Sequence, residues 1–329
     1  MLRLKKYDPI PIEDIKAAQE RISDTIVRTP LVKLNVDDAP ADIYLKLENL
    51  QPIGSFKIRG ASNAMKKADP DDLKDGVWTI SGGNHGQGVA WNAQRMGVDC
   101  TIYAPEHAAK LKIRAMERMG AKVNLVPLPP AIDIQYIKDF LDPSTYPDQR
   151  GFFIHAYSDP AVMAGQGTIG LEILEDLPDV DAVLIPFGGG GLSCGIASAI
   201  RPLKPDVKLY GCESEVITPL ASSFKAGGPV DVAWASSFID SIGIPFILPE
   251  MWGLAKNLLD GSLVMGLIEI CDSIRLLAER NKIIAEGASA IPVAAALAGK
   301  AGTGKVVCVV SGGSIDLDKL VKIFQGKIP

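Results

Sequence analysis

The chain lacks the cysteine pattern of a stapled or metal-bound fold. Its 329 residues include five cysteines, an odd number with no Cys-x-x-Cys pair, which excludes a disulfide framework and a zinc knuckle. A reducing, cytoplasmic compartment suits that usage. Positive charge is not in excess: 34 Lys and Arg face 39 Asp and Glu, so there is no electrostatic footprint for DNA or RNA, and no nucleic-acid partner is expected. Residues 182–200 carry no charge, yet Pro186 and four consecutive glycines interrupt them. They read as a strand, a loop and a helix rather than a membrane span, and no membrane partner is expected. The basic start runs straight into Tyr7-Asp8-Pro9 with no apolar stretch behind it, unlike a secretory signal. The glycines and prolines follow no period and no internal repeat is visible, which excludes collagen-like, low-complexity and solenoid readings.

What is present is a core-forming composition, 47% hydrophobic and 22% charged, that rules out general disorder. The length suits two lobes or one large α/β unit. Ile12, Ile15, Ala18 and Ile22 share one helical face. Residues 42–48 alternate Ile43, Leu45 and Leu47 with Asp42, Tyr44, Lys46 and Glu48, as a half-buried strand does. Strands then alternate with helices. Residues 77–80 precede a helix from about Gln87, residues 100–103 a helix over 110–119, and residues 122–126 a helix from about Ile132. Residues 152–154, 182–185, 208–211 and 306–310 continue the alternation, so the fold class is α/β, with parallel sheets covered by helices. No Pro/Ser-rich linker cuts the chain. Two polar, turn-rich interruptions, at 69–72 and 142–148, bracket a middle lobe.

Three β-runs stop at a glycine cluster and are followed by a helix: Ser81-Gly82-Gly83-Asn84-His85-Gly86, Gly188-Gly189-Gly190-Gly191, and Ser311-Gly312-Gly313-Ser314. Ligands of open α/β sheets bind beyond the carboxyl ends of strands, where helix amino termini favour anions. The four glycines before a helix over 192–200 form a nest suited to a phosphate, although a tight turn would also accept them. A dinucleotide fingerprint is only partly met, because Ser193 stands where a third glycine belongs, while Glu213 occupies the place of a ribose-binding acid. Gly302-Thr303-Gly304-Lys305 precedes a strand and lacks the Ser/Thr of a P-loop, so it is a turn. Ser55 reads as the cap of a helix whose first turn holds Lys57. There the helix dipole disfavours the ammonium form, as a nucleophilic amine requires, but a lysine extended into water fits the same spacing. Asn84 and His85 are either a polar turn pair or, with Ser81, donors to a carboxylate or ring hydroxyl.

In this order, Ser55-Phe56-Lys57-Ile58-Arg59-Gly60-Ala61, Ser81-Gly82-Gly83-Asn84-His85-Gly86-Gln87-Gly88, the tetraglycine and Ser311-Gly312-Gly313 resemble the pyridoxal-phosphate enzymes of the tryptophan-synthase β-like fold. Gly165-Gln166-Gly167-Thr168-Ile169 narrows the resemblance to the serine/threonine dehydratase and serine racemase branch. The resemblance implies a large domain of residues 1–55 and 153–329, with residues 56–152 inserted as a small one, and a homodimer. It implies that Lys57 forms the Schiff base with pyridoxal phosphate and that Gly188 to Gly191, with Leu192, hold the phosphate. Phe56 would pack on the ring, Asn84 bond its hydroxyl, and Ser311 face its nitrogen. Ser81, Gly82, Asn84 and His85 would meet the amino-acid substrate, Ser81 and His85 taking its carboxylate. The implied reaction is β-elimination from a β-hydroxy amino acid such as L-threonine or L-serine, giving a 2-oxo acid and ammonia, because a neutral hydroxyl at the ring nitrogen disfavours transamination. Serine racemases are understood to carry a proton-delivering serine where this chain has Gly82, so dehydration is expected over racemisation. Of the family's Mg or Ca site Glu213 alone is available, since the second acid aligns with Pro219, which argues against a structural cation. The apolar segment 126–131 offers no arginine for a second carboxylate, which points away from hydroxyaspartate and leaves room for a bulkier β-substituent. The sequence ends soon after Ser311, without space for the regulatory domain of biosynthetic threonine dehydratases. The alternatives are a serine racemase or another amino-acid lyase of this fold, and a non-catalytic protein binding a phosphoryl ligand or dinucleotide.

Overall fold

A computed structural model describes residues 7–127, 129 and 133–329. The basic start and the beginning of the helix expected at Ile132 lie outside the described residues, as does most of the apolar stretch after Pro127. In chain order the elements are α1 (Ile12–Ile22), β1 (Leu31–Lys33), β2 (Asp42–Lys46), α2 (Lys57–Lys67), α3 (Pro70–Leu73), β3 (Val77–Ile80), α4 (Asn84–Met96), β4 (Cys100–Pro105), α5 (Lys110–Arg118), β5 (Lys122–Val126) and α6 (Ile134–Leu141). There follow β6 (Phe152–Phe153), α7 (Pro160–Asp176), β7 (Ala182–Pro186), α8 (Gly191–Ile200), β8 (Lys208–Ser214), α9 (Pro219–Ala226), α10 (Pro249–Leu258), β9 (Gly261–Met265), α11 (Leu267–Leu276), α12 (Gly287–Leu297), β10 (Lys305–Val309) and α13 (Leu317–Phe324).

Two sheets result. The larger has the order β1-β2-β10-β7-β8-β9, and the smaller β5-β4-β3-β6. All pairings are parallel except β1 with β2. Both faces of the larger sheet are buried, and the period-2 geometry of its strands divides their side chains between two cores. Val183, Ile185, Val307 and Val309 join the helices α7, α8 and α10 on one face, whereas Leu184, Val306 and Cys308 join α11 and α12 on the other. A third cluster, including Ala61, Val89, Ile102 and Met116, lies about the smaller sheet.

Helix α7 is the seam between the two halves. It packs closely on α2 and α8 because a Cβ at Gly165 would meet the Arg59 carbonyl oxygen at 2.5 Å, and one at Gly195 would strike that of Met163. Across this seam Arg59, fully buried, donates to both carboxylate oxygens of Glu48 and both of Glu172 at 2.7–2.9 Å. Lys46 is also fully buried and pairs with Glu172 at 2.6 Å. Lys46 and Glu48 were expected on the wet face of a half-buried strand; charge pairing is what allows them inside. The cluster anchors the first turn of α2, and with it Lys57, to β2 and α7.

The start of α2 also differs from expectation. Ser55 is not its cap: the Ser55 hydroxyl is buried without a hydrogen-bond partner, Phe56 occupies the cap position and Lys57 is the first helical residue. Ser55 instead bridges to Gly312, so the backbone that enters the helix is tied to the third glycine loop. Helix α4 begins at Asn84, three residues earlier than its glycines suggest.

Candidate active site

The loops after β3, β7 and β10 line one cleft with a volume of about 1070 Å³, at the carboxyl ends of the strands. Lys57, Phe56, Ser81 to His85, residues 188–192 and Ser311 all border it. The three glycine loops identified by their shared pattern therefore meet in space.

Lys57 is half-buried, its Nζ donating to the Ala156 carbonyl at 2.7 Å and lying 5.2 Å from the centre of the Phe56 ring. Among the described residues no carboxylate forms an ion pair with it. Burial lowers its pKa from 10.5 to about 8, with Glu286 holding it up from a greater distance. Burial is thus a stronger reason for a reactive amine than the helix dipole alone.

The tetraglycine is required by close approach. Gly190 has φ +91°, a Cβ at Gly189 would run into the Tyr157 ring, and one at Gly191 would meet the Tyr157 backbone at 2.8 Å. Beyond it the first N–H groups of α8 have no intrahelical acceptor and face the cleft end of the helix. Ser311 is 3% exposed, its Oγ 3.1 Å from that of Ser289. Ser289 also donates to the Gly312 carbonyl and accepts from the Gly312 N–H.

Asn84 donates through Nδ2 to both oxygens of Glu286, at 2.9 and 3.1 Å. Ser81 Oγ accepts from the Gly83 N–H at 3.2 Å. His85 departs from its expected part: its Nε2 lies 3.1 Å from the Ile154 carbonyl, Nδ1 is buried without a partner, and burial takes the pKa down to about 3. The ring is neutral, with its single N–H directed at Ile154, so it has no donor left for a substrate carboxylate. At Gly82 a Cβ would meet Ala108 at 2.6 Å and Pro105 at 2.9 Å, so this loop approaches β4 too closely for a side chain.

Glu213 is engaged elsewhere. Its carboxylate accepts from the Leu220 and Ala221 N–H groups and the Ser262 hydroxyl, at 2.6–2.9 Å, and so caps the amino end of α9. Among the described residues no three His, Cys, Asp or Glu side chains gather as a metal site would need. Nor is any helix there long and apolar enough to cross a membrane. The sequence reading missed Glu286, Lys112 and Asp240, which border the same cleft. A lone acid in the apolar run 283–288 was the available signal for the first.

Pyridoxal phosphate fits this donor set: a half-buried amine held by a carbonyl rather than a carboxylate, a glycine loop whose cradle a Cβ would fill, and a neutral buried hydroxyl share one cleft. These are the features of an α/β enzyme that carries a phosphorylated carbonyl compound as its cofactor. The chain belongs to the pyridoxal-phosphate dependent enzyme family, whose sequence pattern matches residues 22–312. It is 38% identical over 321 residues to an L-threonine ammonia-lyase of Thermotoga maritima, covering 96% of this chain and 78% of that one. It is 36% identical over 329 residues to a catabolic L-threonine dehydratase of Staphylococcus aureus, covering 96% and 92%. Its fold is similar to that of maize serine racemase, with TM-score 0.85, 29% identity, and 95% and 96% of the two chains covered.

Proposed function

We propose that the protein is a pyridoxal-phosphate-dependent ammonia-lyase that dehydrates and deaminates a β-hydroxy amino acid, L-threonine or L-serine, to a 2-oxo acid and ammonia. The observation that carries this reading is the half-buried Lys57, without a carboxylate ion pair among the described residues, in the same cleft as the glycine cradle. When bound, the cofactor supplies a carbonyl for the substrate amine and an electron sink for the α-carbon. Residues 188–192 would hold its phosphate, with Phe56 against its ring, Asn84 as donor to its ring oxygen and Ser311 toward its ring nitrogen. The neutral Lys57 amine takes the α-proton. Ser81 and the N–H groups at the start of α4 bind the substrate carboxylate, while the neutral His85 keeps the loop in place through Ile154. Gly82 has no atom with which to deliver a proton from the other side, which favours elimination over racemisation.

The same proposal takes residues 1–55 and 153–329 as a large domain and residues 56–152 as an inserted small one, supported by β3 to β6 pairing only with one another. Homodimeric assembly and a cytoplasmic location belong to it as well. Tyr136, Phe140, Trp234 and Ile244 among the lining of the cleft support acceptance of a β-substituent larger than methyl.

The test is 2-oxo acid release from L-threonine, L-serine and a β-phenyl analogue, by wild type and Lys57→Ala, together with the visible spectrum of each. Oxo-acid release and a visible band, both lost in the variant, are expected. A band without oxo acid would overturn the elimination reading, and rapid interconversion of L- and D-serine would favour the racemase.

A further inference from the structure

Glu286 stands at the amino end of α12, where its backbone N–H donates to the Gly312 carbonyl at 3.1 Å. Its carboxylate is buried, borders the cleft, and accepts from Asn84 through both oxygens. From the opposite wall α5 sends Lys112, itself 2% exposed, to within 3.7 Å of Glu286 Oε2 and 2.9 Å of Asp240 Oδ1. A carboxylate accepts hydrogen bonds and does not donate them. It therefore dictates which end of the Asn84 amide faces it, and the amide oxygen turns instead to Gln87 Nε2, 3.4 Å away. An amide pinned in this way has only its second N–H to offer a ligand.

We propose that Glu286, paired with Lys112, is a positioning residue that fixes Asn84 as a donor toward the ring oxygen of the cofactor, and so favours the anionic form of that oxygen. The inference rests on the role given to Asn84 under Proposed function. The charged groups facing Glu286 are Lys112 on α5, Asp240 in the segment before α10 and Lys57 on α2, with Asp316 acting on Lys112. Burial, with Asp240 beside it, holds the Glu286 carboxyl above its usual range, and Lys112 and the hydrogen bonds from Asn84 and Ser241 offset this only in part. Loss of Lys112 removes that offset and favours the protonated acid, which can donate. The Asn84 amide then turns its oxygen toward Glu286, and its orientation in the cleft is no longer fixed.

The experiment compares purified holoenzymes of wild type, Glu286→Gln, Lys112→Met and Lys112→Arg by visible absorption across a pH titration, cofactor retention on dialysis, and steady-state kinetics. In Glu286→Gln and Lys112→Met the long-wavelength cofactor band is expected to lose intensity at neutral pH to the short-wavelength neutral form. In both, kcat falls roughly tenfold to a hundredfold while KM changes little, as for a lost hydrogen bond to a charged group. Lys112→Arg restores the wild-type band. A Glu286→Gln enzyme with the spectrum and pH titration of wild type overturns the inference, whatever its stability. Should that variant fail to fold, an unshifted band in Lys112→Met overturns it equally. Absence of any visible band in wild type would overturn the cofactor reading and this inference with it.

Discussion

The depressed pKa of Lys57 sets the pH at which the protein captures an aldehyde. Its half-buried amine donates to the Ala156 carbonyl and has a pKa lowered from 10.5 to about 8. At about pH 7.5 such an amine is roughly one quarter neutral, against roughly one part in a thousand for an ordinary lysine. Only the neutral form attacks a carbonyl, so cofactor-free protein should recombine with pyridoxal phosphate roughly 200-fold faster than an ordinary lysine would. Stopped-flow reconstitution across a pH series should show a rate that rises with pH and levels off above an inflection near 8. The same shift has a consequence for stability. A folded-state pKa below the unfolded one gives stability that is fully present above about pH 10.5 and lost as pH falls toward 8. Cofactor-free Lys57→Met should therefore exceed wild type in unfolding free energy by about 3 kcal/mol below pH 8, at about 1.36 kcal/mol per pH unit, with the gap narrowing at higher pH. An inflection near 10, or equal stabilities at neutral pH, would refute the claim that burial activates this amine.

Gly189→Ala should place a methyl against the Tyr157 ring; the expected cost of about 1–3 kcal/mol appears as cofactor affinity lower by roughly tenfold or more, read by equilibrium titration. Arg59→Met leaves Glu48 without its ion-pair partner in the core and Glu172 with Lys46 alone. Chemical denaturation should show a loss of about 3–5 kcal/mol. Gly82→Ser should not create a racemase, because its side chain meets Ala108 and Pro105 first; chiral chromatography of serine incubated with the variant should show no D-serine, and turnover of L-threonine should fall.

Local pattern carried most of the framework. The bounds of α1 and β5 are those read from periodicity, and the glycine loops identified from their grammar do share one cleft. The misreadings share a cause, which is partnership across long sequence separations. Gly86 looked like a loop residue, yet it lies inside α4, as Gly88 does, and a Cβ at Gly88 would meet the Lys57 carbonyl oxygen at 3.1 Å and push α4 off α2. Lys46 and Glu48 followed a surface alternation, but Arg59 and Glu172 draw them inside. Ser55 was read as a cap by residue type, whereas its bridge to Gly312 governs its conformation. Glu286 had no local signal beyond its own charge, because its partner Asn84 is 202 residues away.

The position of β10 has a bearing on how the chain is made. Residues 305–309 form the strand that separates β2 from β7 and pairs with both. A nascent chain emerging from the ribosome must therefore hold β2 and β7 apart, each with an open edge, until those residues arrive. Non-local pairing of this kind slows folding, and unpaired edges invite wrong partners. Delivery of one five-residue strand is thus the event that closes the sheet.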